Sequence, residues 1–312
     1  MRIISFGNMK GGVSKTTNTL NCAFALANTY NKRVLVIDFD GQYNATQNLN
    51  IDSYAEGCVT IDEILEPYVK NPTQGFDLAL IQKAIISPVY TGRERDPENK
   101  MRFIDVEKEF GFDIIPSNYN LSILETIMAQ STDVGKGYPY YLRDLLRFIG
   151  DHFDYDYVLI DTPPSLGMLS LSAIAAAKDG VIAATNLDLN GYQGILPYIE
   201  NTEWFQEQYK RRNEVHRGIL GILIVRFSGF RKIDQTLEEY GKKFTPYELF
   251  ETTIPETSDA RKATAVGMLV SQINKKIKTA YDDVAGEIID LVEHDGAKHK
   301  AHKEANNGGS QD

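Results

Sequence analysis

The sequence predicts an α/β protein with a doubly wound, mainly parallel sheet and helices on both faces. Three observations carry that expectation. Apolar runs such as Arg33-Val-Leu-Val-Ile-Asp38 and Tyr157-Val-Leu-Ile-Asp161 are continuous and not alternating, as strands buried on both faces must be. Each run ends in an acid, which places a carboxylate at the ligand-binding edge of such a sheet. Between strands, apolar residues recur at helical spacing, as Leu20, Ala23, Phe24 and Ala27 do between Thr17 and Tyr30.

Taken in order, Ile3, Ile4 and Phe6 form a short first strand that enters this helix through a glycine-containing turn. Such a turn points backbone N–H groups and a helix N-terminus at one place, which favours an anion. Lys15 supplies a mobile positive charge for the β and γ phosphates of a nucleotide, and the Thr16 hydroxyl is placed to ligate Mg²⁺. Against the strict G-x-x-x-x-G-K-[ST] pattern, Met9 and Ser14 stand at the glycine positions. Read as a unit, however, Lys10-Gly-Gly-Val-Ser-Lys15-Thr-Thr17 resembles the deviant Walker A motif, K-G-G-x-G-K-[ST]-[ST], of the ParA/MinD superfamily of P-loop NTPases. The resemblance implies that Lys10, Gly11, Gly12, Val13, Ser14, Lys15, Thr16 and Thr17 surround the phosphates, with Lys10 reaching the phosphates of a partner subunit in a nucleotide-sandwich dimer. Ser14 stands where that family usually has glycine. If the position needs φ > 0, serine there costs on the order of 1–2 kcal/mol.

The resemblance continues downstream. Asp38-Phe-Asp40-Gly-Gln42-Tyr-Asn44-Ala-Thr46 is similar to the family's D-x-D-P-Q-x-N-x-T, with Gly41 in place of proline. It implies that Asp38 helps hold the Mg²⁺ shell and that Asp40 orients the attacking water. Asp161-Thr-Pro-Pro164 resembles the family's Walker B signature, whose aspartate contacts the water shell of the metal. Phe112 to Asn118 resembles the family's strand ending in a proline, and Phe250 to Glu256 its strand ending in Ile-Pro, here Pro255, whose loop packs beside the adenine. By the same resemblance the catalytic set is Lys10, Lys15 and Asp40, and the metal set Thr16, Asp38 and Asp161.

Other elements follow from pattern alone. Short helices are expected near Thr60 to Leu65 and Phe76 to Ile86, and further helices at Tyr119 to Gln130, Tyr140 to Phe148, Leu169 to Ala177 and Gly191 to Tyr209. Gly180 to Thr185 and Gly218 to Val225 read as parallel strands. The polar stretch Thr91 to Lys100 reads as a surface loop or hairpin tip inside an insertion near residues 87–106. Lys275 to Val292 reads as a closing amphipathic helix with Ile277, Tyr281, Val284, Ile288 and Leu291 in the core. Residues 1–293 are expected to form one domain, an ATPase domain by the resemblance, and residues 294–312, polar and low in apolar content, are expected to be a disordered tail. His294, His299 and His302 are too widely spread across a helical face to favour a metal site.

With 312 residues and 42% hydrophobic content the chain can bury a large core. Its apolar runs fall short of the ~20 residues of a membrane span and no secretory leader is recognisable, so a cytoplasmic protein is expected. Cys22 and Cys58 sit at no ligand spacing, and both are expected to be buried thiols. The net charge of −10 argues against a surface coated by nucleic acid. The third quarter is nevertheless locally basic. Lys210, Arg211, Arg212, Arg226, Arg231 and Lys232 are expected to bind DNA without sequence preference, as basic residues in this part of ParA-type proteins do, and Glu203 stands where the family would place another arginine. The resemblance implies an ATP-dependent partition ATPase for a plasmid or chromosome: MgATP closes a homodimer, the dimer binds nucleoid DNA, and a centromere-binding ParB-type adaptor stimulates an ATP hydrolysis that is weak alone. The runner-up is a MinD-like positioning ATPase on a membrane, which needs a C-terminal amphipathic membrane helix. A third, a tyrosine kinase with a related loop, needs a C-terminal tyrosine cluster. Neither feature is found after Val292, and no helix-turn-helix region precedes the loop.

Overall fold

The continuous apolar runs become the strands of one sheet. The computed structural model describes residues 1–96, 102–130, 139–186, 189–227 and 247–294, of which 189–193 and 227 by backbone alone. Strand β1 (Arg2–Gly7) passes through the glycine-containing turn into α1 (Lys15–Asn28), and β2 (Val34–Asp38) follows. Helices α2 (Asn44–Asn48), α3 (Ile61–Lys70) and α4 (Leu78–Ala84) lead to a hairpin of β3 (Val89–Arg95) and β4 (Phe103–Glu109). The chain re-enters the sheet at β5 (Asp113–Ile115), then runs through α5 (Asn120–Gln130), α6 (Tyr141–His152) and β6 (Tyr157–Asp161). After α7 (Met168–Ala176), β7 (Gly180–Thr185), α8 (Leu189–Arg211) and β8 (Ile219–Phe227), the described part closes with β9 (Ile254–Pro255), α9 (Asp259–Ala265), α10 (Val270–Ile273) and α11 (Lys275–Glu293).

The seven-stranded sheet has the order β5-β2-β6-β1-β7-β8-β9, and every neighbouring pair is parallel. From β1 the chain crosses to one side of the sheet, whereas β7, β8 and β9 extend the other. The loop after β1 therefore lies where the direction of winding changes, which in open α/β sheets is where ligands sit. Register sharpens the point. Phe6 pairs with Asp161 and Asp161 with Asp38, so the end of β1 and both strand-end acids lie in one row.

Period-two alternation assigns the two faces. Ile4, Phe6, Val34, Val36 and Leu159 face α1 and α11, where Ile277, Tyr281, Val284 and Ile288 are buried as expected and Leu291 is partly buried. On the opposite face, Leu35, Ile37, Val158 and Ile160 pack against α3, α5, α6 and α7. Val181 and Ala183 share that second face with α7 and α8, since Ser5 pairs with Val181.

One element runs longer than expected, and at another the structure chooses between two expected alternatives. Helix α3 runs beyond Leu65 through Pro67 to Lys70, because its start is fixed by a Thr60/Glu63 capping box and its later turns still bury Leu65 and Val69. The polar insertion is mostly strand: Val89 to Arg95 pairs antiparallel with Phe103 to Glu109, joined through residues outside the described part. Of the two expected forms, a surface loop or a hairpin tip, the hairpin is the one found, with Ile104 and Val106 on the half-buried face of β4. Cys22 is buried, but Cys58 is only partly so, because it lies in the turn entering α3 and not in the sheet. Residues 295–312, with His299 and His302, lie outside the described residues, as do Arg231 and Lys232. Among the described residues no helix is long and apolar enough to cross a membrane.

Candidate functional site

The β1–α1 loop is held from below by one fully buried side chain, Asn8. Its Nδ2 donates to the Ala184 carbonyl of β7 at 2.6 Å, its Oδ1 accepts the Lys10 N–H at 2.7 Å, and its own carbonyl accepts Lys15 Nζ at 3.0 Å. The Met9 N–H donates to the Gly194 carbonyl of α8 at 3.1 Å. A Cβ on Gly194 would lie 2.5 Å from Asn8 Oδ1, so only glycine lets helix and loop come this close. Asn8 escaped the motif reading because the motif begins at Lys10.

Within the loop, Gly12 (φ 78°) and Ser14 (φ 58°, ψ 29°) are both left-handed. Successive N–H groups in such a conformation turn toward one concavity. Helix α1 begins at Lys15 with no acid in its first turn, so nothing in that turn offsets the positive end of its dipole. Lys15 is not the mobile arm expected. It is 7% exposed and fixed to the Asn8 carbonyl, and burial lowers its pKa while Asp161 and Asp40 act to raise it.

Ser14 thus occupies the conformation that glycine tolerates, and as N-cap its side chain makes no capping hydrogen bond that could compensate. Ser14→Gly is therefore expected to raise stability by about 1 kcal/mol, reduced somewhat by the greater chain entropy of unfolded glycine. A thermal melt of the two proteins without nucleotide checks this. An unchanged or lower melting temperature contradicts it.

Three carboxylates converge beside Lys15. Asp161 Oδ2 accepts the Thr16 hydroxyl at 2.6 Å, and Asp38 Oδ2 accepts both the N–H and the hydroxyl of Thr46, at 2.8 and 2.7 Å. The Thr46 hydroxyl in turn accepts the Ser117 N–H at 3.0 Å, which ties β2, α2 and the end of β5 together. Asp40 is 5% exposed, and its Oδ1 accepts the Gln42 N–H at 2.9 Å. Burial pushes Asp38 up to about 7, with the charge of Asp40 adding to it, and pushes Asp161 up to about 8, with the charge of Asp38 adding to it. Burial also raises Asp40, though the Gln42 N–H and Lys15 oppose it.

One buried ammonium facing three carboxylates leaves room for a further positive charge. Among the described residues there is no group of three or more His, Cys, Asp or Glu side chains able to hold a metal ion by themselves. A cation here must complete its coordination with water and ligand oxygens, the usual habit of Mg²⁺. The donor set fits that ion with a phosphate and does not fit a protein-only cage.

Beside the loop opens a cleft of about 450 Å³ that shares Ser14 and Thr17 with it. Pro255, Val270, Ile277 and Tyr281 are among its lining residues. Tyr281, read from the sequence as core alone, also donates its hydroxyl to Asn18 Oδ1 of α1 at 2.8 Å.

Arg226 lines this same cleft, as Arg261 does, and that separates it from Lys210, Arg211 and Arg212. Lys210, Arg211 and Arg212 are exposed at the far end of α8, which runs from Gly194 beside the loop back to the edge where β8 begins. At about 3.3 Å per residue, Ile219 and Arg226 are about 23 Å apart along β8. Among the described residues, Arg226 and the Lys210–Arg212 run therefore do not form one patch, since a parallel strand and the antiparallel helix before it deliver their C-termini to opposite edges. At the far edge Arg211 pairs with Glu207 at 3.5 Å, and the Arg212 and Arg143 guanidinium carbons lie 4.6 and 4.1 Å from the Tyr140 ring centroid. Glu203 accepts the Tyr247 hydroxyl at 2.7 Å.

Comparison with known proteins agrees with this geometry. A family model described as an AAA domain matches residues 1–215. The chain is 29% identical to the chromosome-partitioning ATPase Soj of Thermus thermophilus over 87% of this chain and 88% of that one. An ATP complex of McdA from Cyanothece superposes with a TM-score of 0.69 at 21% identity, covering 93% of this chain and 96% of that one. A cobyrinic acid a,c-diamide synthase from Mycobacterium smegmatis with bound ADP and magnesium reaches 0.66 at 21% identity, over 93% and 95%. At such identities the two structures speak to the fold, which serves different chemistries.

Proposed function

We propose, for a chain that belongs to this AAA-domain family and within it to the ParA/MinD group of P-loop ATPases, that it is a partition ATPase driven by MgATP. The observation that carries the reading is the row formed by the end of β1, Asp161 and Asp38, with Thr16 on Asp161 and the buried Lys15 beside them. Left-handed Gly12 and Ser14 and the first turn of α1 receive the phosphates, and Lys15 neutralises them. Thr16 and Asp161 would hold Mg²⁺, and Asp38 would steady that shell from its anchorage on Thr46. The ion would supply neutralisation of phosphate charge there. Asp40 orients the attacking water, Pro255 borders the base, and Lys10 acts on the phosphates of a second copy in the ATP-bound dimer.

The dimer binds nucleoid DNA through Lys210, Arg211 and Arg212, to which Arg231 and Lys232 contribute, and a centromere-bound adaptor stimulates its otherwise weak hydrolysis. Arg226 leaves this set, because it lies in the cleft. Sedimentation with DNA and with liposomes, each in ATP, ADP and no nucleotide, tests the reading against its membrane-bound alternative. DNA binding in ATP alone is expected, with affinity falling with salt at a slope of about −0.9 per phosphate contacted. Replacing Lys210, Arg211 and Arg212 together by alanine should make that slope shallower by about one for each phosphate no longer neutralised, and leave ATP binding intact. Equal binding in ADP and ATP overturns the DNA reading. Nucleotide-dependent binding to liposomes instead favours the membrane alternative.

A further inference from the structure

Arg226 combines three features that no DNA-binding role requires. It has φ 56°, a left-handed conformation that costs any residue but glycine, at the next-to-last position of β8. It is also the extra residue of a bulge: Val225 pairs with Ile254 and Phe227 with Pro255, so β8 advances two residues where β9 advances one. Its neighbours are thus held by β9 while Arg226 alone is turned aside, and it lines the cleft that adjoins Ser14 and Thr17. No hydrogen bond or ion pair engages its guanidinium among the described residues. Backbone strain that re-aims an uncommitted side chain into a cleft is a pattern of ligand sites.

We propose that Arg226 is the residue that reads the base of the bound nucleotide, its planar guanidinium donating to acceptor atoms of a purine. This rests on the nucleotide reading above. The phosphates already have the loop N–H groups and Lys15, whereas the cleft lies past Ser14 and Thr17 and offers the apolar walls of Ile277 and Tyr281, which suit a flat heterocycle. A DNA duplex cannot enter a cleft of about 450 Å³. Arg226 would thereby add base selectivity to a loop that by itself recognises only phosphate.

The test compares calorimetric binding of MgATP and of magnesium tripolyphosphate, which lacks base and sugar, by the wild type, R226A and R226G. R226A is expected to lose about tenfold in ATP affinity, the usual size of a hydrogen bond to a charged group, and nothing in tripolyphosphate affinity. R226G should bind ATP no better than R226A yet melt above it, because glycine accepts the positive φ; this separates impaired recognition from impaired folding. Equal losses for ATP and tripolyphosphate overturn the inference in favour of a phosphate contact, and unchanged ATP affinity in R226A overturns it outright. If the wild type binds neither ligand, the nucleotide reading falls and the inference with it.

Discussion

Lys15→Ala is expected to bind MgATP about 10²-fold more weakly than the wild type, while Lys10→Ala keeps most of its affinity and loses the ATP-dependent dimer. The two lysines stand five residues apart in one loop, but their surroundings differ. Lys15 is 7% exposed, donates to the Asn8 carbonyl and faces Asp161 and Asp40, so its charge is already fixed where a subunit's own phosphates would lie. A preorganised charge in a buried site costs little to reorganise on binding, so its removal is felt fully in affinity. Lys10 is only partly buried, and its backbone N–H serves the loop through Asn8, a contact that alanine retains. Titration of labelled ATP alongside a sizing measurement reads both halves. Lys15→Ala also leaves the Asn8 carbonyl without its donor, at about 1–3 kcal/mol, so a melt must accompany the titration. Near wild-type ATP affinity in a folded Lys15→Ala protein contradicts the first half, and normal ATP-dependent dimerisation of Lys10→Ala contradicts the second.

The parts of this fold that the sequence makes legible are those where one physical term dominates. Strands buried on both faces, such as Val34–Asp38 and Tyr157–Asp161, must be apolar throughout and therefore read directly. Ser14 is legible too, because only a few residue types tolerate φ > 0, and the turn demands it. What stays hidden depends on relations between distant segments. Nothing local to Asn8 says that it will meet Ala184 and Lys15, and nothing local to Arg226 distinguishes a cleft residue from the other cations of the third quarter. The basic run reads as one patch only if proximity in sequence is equated with proximity in space. In an α/β unit, helix and strand run in opposite directions, and the ends of α8 and β8 lie on opposite edges of the sheet. The β3–β4 hairpin is only half legible, as one of two alternatives, because outside the main sheet its strands bury one face partly, and β4 buries no residue fully.

Asp40→Asn is expected to bind MgATP, dimerise and remain on DNA, yet hydrolyse ATP at least about 10²-fold more slowly. The carboxylate lies just past the end of β2, beside Lys15 and in the same buried group as Asp38 and Asp161. Burial raises its pKa, the direction that makes a carboxylate a better proton acceptor, while the Gln42 N–H and the charge of Lys15 oppose that rise. It also has a structural duty, since Oδ1 accepts the Gln42 N–H at 2.9 Å and so shapes the turn into α2. Asparagine separates these duties. Its amide oxygen can still accept from Gln42, whereas it cannot take a proton from water. A group needed mainly in the transition state, when removed, lowers turnover without weakening ground-state binding. Removing one negative charge from the proposed phosphate site would also relieve repulsion, so ATP affinity should hold or rise. Asp40→Ala, lacking the acceptor as well, should show the same catalytic defect and a lower melting temperature, the missing turn hydrogen bond costing about 1 kcal/mol. Melting temperature, ATP affinity and single-turnover hydrolysis on one preparation of each variant distinguish the possibilities. If Asp40 only shapes the turn, asparagine will hydrolyse ATP nearly as fast as the wild type, and the assignment of Asp40 to the attacking water must be abandoned.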